Sequence, residues 1–70
     1  MPSRRYYAVA QGRPPAPGIL LSWDETKSLV NGYPGAKHQS FSTLDKAIEF
    51  LVENGVPKEQ RVIRDVSIER

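Results

Sequence analysis

Leu44, Ala47, Ile48 and Leu51 fall at i, i+3, i+4 and i+7, a spacing that a helix turns into one continuous apolar stripe. A short helix draws most of its stability from the packing of such a face, so the rest of the chain has to supply a surface that covers it. Ser42 or Thr43 is placed to cap the N-terminus of this helix, and Asp45 in the first turn suits the helix dipole. Asn54-Gly55-Val56-Pro57 ends it.

The covering surface is read from the β-favouring runs. Tyr6-Tyr7-Ala8-Val9-Ala10 predicts a first strand, ended by Gly12 and a proline cluster. Side chains alternate across a strand, so Tyr6 and Tyr7 belong to opposite faces and one of the pair is expected in the core. Pro14, Pro15 and Pro17 cannot donate to a ladder, so residues 12–18 are expected to form a stiff, protruding hairpin connection. Ile19, Leu20 and Leu21 supply a second strand. Ser22 follows as the N-cap of a helix over residues 23–30, with Glu25 at N3 completing a capping box and Asn31-Gly32 forming the stop. Tyr33-Pro34-Gly35 is a rigid turn, and residues 36–41 form a third strand.

The order is therefore strand, strand, helix, strand, helix. Beyond it, Arg61-Val62-Ile63-Arg64-Asp65-Val66-Ser67-Ile68 is rich in β-formers, but Arg64 breaks the alternation. That segment reads either as an extra edge strand or as a tail ordered only by a partner. The chain divides into an arm over residues 1–5, a domain over 6–55 and an extension over 56–70.

Several chemistries are excluded by what the chain lacks. With no cysteine and one histidine in 70 residues, neither a disulfide framework nor a structural zinc site can supplement a small core. No metal and no cofactor are expected. Nothing places Ser40 or Ser42 with His38 and a third orienting group, and no acidic cluster is arranged for two metal ions, so the chain is not expected to be an enzyme. No stretch is long and apolar enough to span a bilayer, and Arg4-Arg5 leads straight into the first strand without the apolar core of a signal peptide. A soluble, intracellular protein is expected, with nucleus, cytoplasm and mitochondrion left open. The formal net charge is only +2, but its distribution is uneven. Arg4, Arg5, Arg13, Lys27 and Lys37 face only Asp24 and Glu25 in the first half, whereas most of the acidic residues crowd the second. A phosphate-facing surface would sit on the basic half.

Several separate motifs, in order, carry a family resemblance. Tyr6 to Arg13, Pro17-Gly18-Ile19, Ser22-Trp23-Asp24-Glu25, the run from Val30 to Lys37 containing Gly32-Tyr33-Pro34-Gly35-Ala36, then Phe41 and the apolar helix resemble the N-terminal hybrid-binding domain of eukaryotic type 1 ribonuclease H. The module is similar to that of the viroplasmin proteins of plant viruses. The resemblance implies an α+β fold, a three-stranded antiparallel sheet with two helices packed on it. It also implies binding to RNA/DNA hybrid, and more weakly to double-stranded RNA, across the minor groove. By position, Gly32 and Gly35 would offer backbone contacts to the RNA strand, while Tyr7 and Trp23 would form an aromatic surface against the DNA strand. Lys37 and Arg13 would contact phosphate, and His38 could stack or, when protonated, meet a phosphate.

This sequence departs from the family on the third strand. Where the ribonuclease modules carry an aromatic and two lysines before the final Phe, it reads His38-Gln39-Ser40-Phe41, and two missing ionic contacts weaken binding and flatten its salt dependence. A second reading therefore stands beside duplex binding. In it the chain is a protein-interaction module that keeps the fold and uses the Pro14-Pro15-Ala16-Pro17 projection, or the β-rich tail as an edge, for a partner strand.

Overall fold

The computed structural model describes residues 5–14 and 16–64. Its elements are β1 (Tyr6–Gln11), β2 (Gly18–Leu20), α1 (Trp23–Val30), β3 (Lys37–Phe41) and α2 (Leu44–Glu53), followed by a 3-10 turn at Lys58–Gln60. This is the α+β order expected from the sequence, and the three strands make one antiparallel sheet in the order β2-β1-β3. Strand ends differ slightly from the expected ones: β1 reaches Gln11, and β2 starts at Gly18 and stops before Leu21.

Register decides which side chains share a face, because directly paired residues point the same way. Tyr7 pairs with Leu20 and Ser40, and Val9 with Gly18 and His38, so these belong to one face. Ala8 pairs with Ile19 and Gln39, and Tyr6 with Phe41, on the other. The helices divide accordingly. Ala47 and Leu51 of α2 are buried with Ala8, Ala10, Ile19 and Val56, while Leu44 and Ile48 pack at the rim of that cluster. Leu29 of α1 is buried with Val9 and Leu20. Both tyrosines are half-buried, Tyr6 against the α2 cluster and Tyr7 against the α1 cluster.

Local sequence explains both helix starts. Ser22 is extended, and its hydroxyl accepts from the Glu25 N–H at 3.3 Å. Of the two candidate caps for α2, Thr43 takes the role, accepting from the Lys46 N–H at 3.3 Å. Thr26, fully buried in α1, donates its hydroxyl to the Ser22 carbonyl at 2.9 Å, so its burial leaves no unmet donor.

Two connections differ from expectation. The described part of the β1–β2 connection does not protrude: it folds back on the C-terminal end of α1. There the Arg13 N–H donates to the Leu29 carbonyl at 2.8 Å, and Ala16 packs against the Val9–Leu20–Leu29 cluster. The last carbonyls of a helix have no partner within it, and a chain that has left the ladder at a proline cluster brings a free donor to one of them. At the other end of the chain, Ile19 pairs with Ile63 in a single parallel bridge. The Ile19 N–H donates to Val62 O at 2.9 Å and the Arg64 N–H to Ile19 O at 2.7 Å. The C-terminal segment thus covers the outer edge of β2 for one bridge, and residues 65–68 of the expected strand lie outside the described residues.

Candidate nucleic-acid interface

Three rings from three elements meet on the α1 face of the sheet. Tyr7 comes from β1, His38 from β3 and Trp23 from the first turn of α1. The Trp23 ring centroid lies 6.0 Å from that of Tyr7 and 5.9 Å from that of His38, with interplanar angles of 47° and 40°. Trp23 is 46% exposed and His38 is exposed as well. α1 is only eight residues long and buries Thr26 and Leu29, so it covers Val9 and Leu20 without sealing the sheet's end. What remains is an apolar, open aromatic surface of the kind that stacks on sugars and bases. Ser40 stands directly across from Tyr7 on the same face, and its Oγ accepts a hydrogen bond from the Arg5 guanidinium at 2.9 Å.

The second group lies at the other end of α1, roughly 12 Å away by the rise of eight helical residues. Gly32 and Gly35 have φ of 72° and 75°, values that a side chain would strain. The Tyr33 N–H closes onto Val30 O and the Ala36 N–H onto Tyr33 O, each at 3.1 Å, so residues 31–35 form two successive tight, exposed turns. Arg13 is clamped over this segment, donating to the Asn31 carbonyl at 2.6 Å with its guanidinium 6.0 Å from the Tyr33 ring centroid. It braces the turn and adds positive charge beside it.

The structure therefore brings Tyr7, Trp23 and His38 together, and Arg13, Gly32 and Gly35 together, at the two ends of α1. Lys37 joins neither group through a side-chain contact; alternation along β3 assigns it to the face of Gln39 and Phe41. That opposite face carries a groove of about 290 Å³ between β3 and α2, where Glu49 and Glu53 outnumber Lys46 around Phe41 and Phe50. Its charge suits a phosphate poorly. Among the described residues no three His, Cys, Asp or Glu side chains converge to hold a metal ion, and no helix is long and apolar enough to cross a membrane. Arg5 and Ser40 were not among the residues expected at the site. The available signal was parity, since Arg5 lies just ahead of β1 and two residues before Tyr7, but its partner depends on the β1–β3 register.

The chain matches the family model described as the ribonuclease H1 N-terminal domain over residues 5–51. It is 42% identical over 52 residues to the ribonuclease H of Schizosaccharomyces pombe, an alignment covering 74% of this chain and 19% of that protein. The ribonuclease H1 of Mus musculus is 38% identical over 52 residues, covering 74% of this chain and 18% of the relative. That of Homo sapiens is 34% identical over 53 residues, covering 76% and 18%. The chain thus spans under a fifth of the length of these curated relatives. The matched residues 5–51 take in all five elements apart from the last residues of α2 and include both residue groups at the ends of α1, and this chain belongs to the ribonuclease H1 N-terminal domain family.

Proposed function

We propose that this chain is a non-catalytic nucleic-acid-binding module that recognises RNA/DNA hybrid, and double-stranded RNA less well, across the minor groove. The observation that carries the reading is the pairing of two unlike surfaces at the ends of one short helix: the ring cluster of half-buried Tyr7 with exposed Trp23 and His38, and the exposed backbone turn at Gly32 and Gly35. An A-like duplex presents 2′-hydroxyls in a wide, shallow minor groove, and backbone groups of a glycine turn can approach them closely because no side chain intervenes. An apolar aromatic surface accepts a deoxyribose more readily than a ribose, whose 2′-hydroxyl would lose water there without a partner. Two such surfaces favour a duplex with one strand of each kind. Arg13 and Lys37 add charge near the turn, and the uncharged Gln39 and Ser40 keep the affinity modest.

The reading of a protein-interaction module drew on the proline-rich connection and the β-rich tail. Ala16 of the former packs against the domain, and residues 62–64 of the latter lie along β2, so these described parts of both features are engaged within the chain. The duplex reading is the better supported of the two.

Titration of the 70-residue chain with hybrid, double-stranded RNA and double-stranded DNA of one sequence, at two salt concentrations, tests it. The expected order of affinity is hybrid, then double-stranded RNA, then double-stranded DNA, with all three weakening as salt rises. Absence of binding to any duplex at low salt would overturn the reading.

A further inference from the structure

Between Lys37 and Phe41, β3 carries no lysine, arginine or acidic residue, yet a fixed positive charge stands on its aromatic face, delivered from the other end of the domain. Arg5 precedes β1 and shares the parity of Tyr7 and Val9, which places it on the face of the aromatic trio. Its Nη2 donates to Ser40 Oγ at 2.9 Å, and Ser40 is the residue paired with Tyr7. Arg5 is exposed.

The direction of this hydrogen bond matters. A guanidinium has five N–H donors and no acceptor, and Ser40 takes one of them. A hydroxyl that accepts from the arginine keeps its own proton to donate. The pair therefore presents several donors and one full positive charge to whatever lies over the end of the aromatic surface, and it offers an anion no competing carboxylate. A planar fork of this kind is suited to a phosphate, which it can meet through two parallel hydrogen bonds. The spacing is also apt, because Tyr7 sits directly between Ser40 and Leu20 across the sheet, so a sugar resting on the rings would carry its phosphate toward the strand edge.

We propose that Arg5 and Ser40 form a backbone-phosphate subsite beside the Tyr7–Trp23–His38 surface, engaging the DNA strand of a bound hybrid. This rests on the duplex-binding reading above. Arg5 supplies the charge, and Ser40 holds the guanidinium in place and donates its hydroxyl. The N-terminal flank of the domain is thereby part of the binding surface.

The test compares the full chain with its Arg5→Gln, Arg5→Lys and Ser40→Ala variants, using a hybrid duplex over a range of salt. Arg5→Gln is expected to weaken binding several-fold at low salt and to lower the slope of log affinity against log salt by about one. Arg5→Lys should keep the slope while losing part of the affinity, because the charge remains and the fork does not. Ser40→Ala should weaken binding less than Arg5→Gln and leave the slope nearly unchanged. Replacing the DNA-strand phosphates with uncharged methylphosphonates should abolish the difference between the unaltered chain and the Arg5→Gln variant, whereas the same change in the RNA strand should preserve it. If the unaltered chain binds hybrid but Arg5→Gln matches it in affinity and slope, the subsite is wrong and the duplex reading stands. If the unaltered chain binds no duplex at low salt, both fall.

Discussion

The two faces of the sheet are built for different ends. On the α2 face, Ala8, Ala10, Ile19, Ala47, Leu51 and Val56 are buried together, and Tyr6, Phe41, Leu44, Ile48 and Phe50 close the rim. On the α1 face the buried apolar cluster among the described residues is Val9, Leu20 and Leu29, with Tyr7, Ala16 and Val30 beside them. The difference follows from helix length and pattern. α2 has ten residues and a full apolar stripe, whereas α1 has eight, of which only Trp23 at its start and Leu29 and Val30 at its end are apolar. A helix that covers its sheet incompletely leaves aromatic side chains in water, and that costs stability a domain of this size has little of. The larger core on one face is what lets the other stay open, which assigns stability mainly to α2 and, on the proposed function, binding mainly to the α1 face.

Deleting the centre of the larger core should have the greatest effect. Leu51 is fully buried, and Leu51→Ala is expected to cost about 2–5 kcal/mol of unfolding free energy. Urea denaturation measures it, and a loss well under ~1 kcal/mol would mean that α2 does not carry the fold. The converse change is Trp23→Ala. Because Trp23 is 46% exposed, folding should largely survive, while hybrid affinity should fall by about 1–3 kcal/mol, the range of an aromatic contact to nucleic acid. Equal losses of stability and affinity would make Trp23 a core residue instead.

The smallest expected effect separates the two faces most finely. Gln39 and Ser40 are neighbours in sequence but belong to opposite faces by their pairing with Ala8 and Tyr7. Ser40→Lys, on the aromatic face, removes the acceptor that holds Arg5 but adds a full charge, and its net effect is expected to strengthen hybrid binding at low salt and steepen its salt dependence by up to about one unit of slope. Gln39→Lys, on the face of the acidic groove, should do less. If the two lysines act equally, the face of β3 does not decide which residues meet the duplex.

Much of this was legible in the linear chain, and the particulars show why. The Leu44 to Leu51 stripe, the Ser22 cap, a cap for α2 at Ser42 or Thr43, the span of α1 and the glycine turn at Gly32 and Gly35 all rest on residues close to one another in the chain. Local backbone preference and hydrogen bonding within a turn are enough to set them. Tyr7 and Trp23 were picked out by their place in a family pattern, and His38 by its position on the third strand of that pattern. The proline-rich connection was misread as a projection because its partner, the Leu29 carbonyl, lies far from Arg13 along the chain and offers no sign in sequence that it needs a donor.

The elements, their order and most of their ends were thus written into the chain, since short-range sterics and caps act before any tertiary contact forms. Folding in three dimensions was needed to place the two helices on opposite faces, to divide Lys37 from the aromatic surface and to lay residues 62–64 along β2. It also brought Arg5 to Ser40 across 35 positions of chain. Each of these depends on strand register, and a shift of one residue would send every side chain of a strand to the other face. Register is set by how the whole set of apolar side chains packs at once, which no local stretch of sequence specifies.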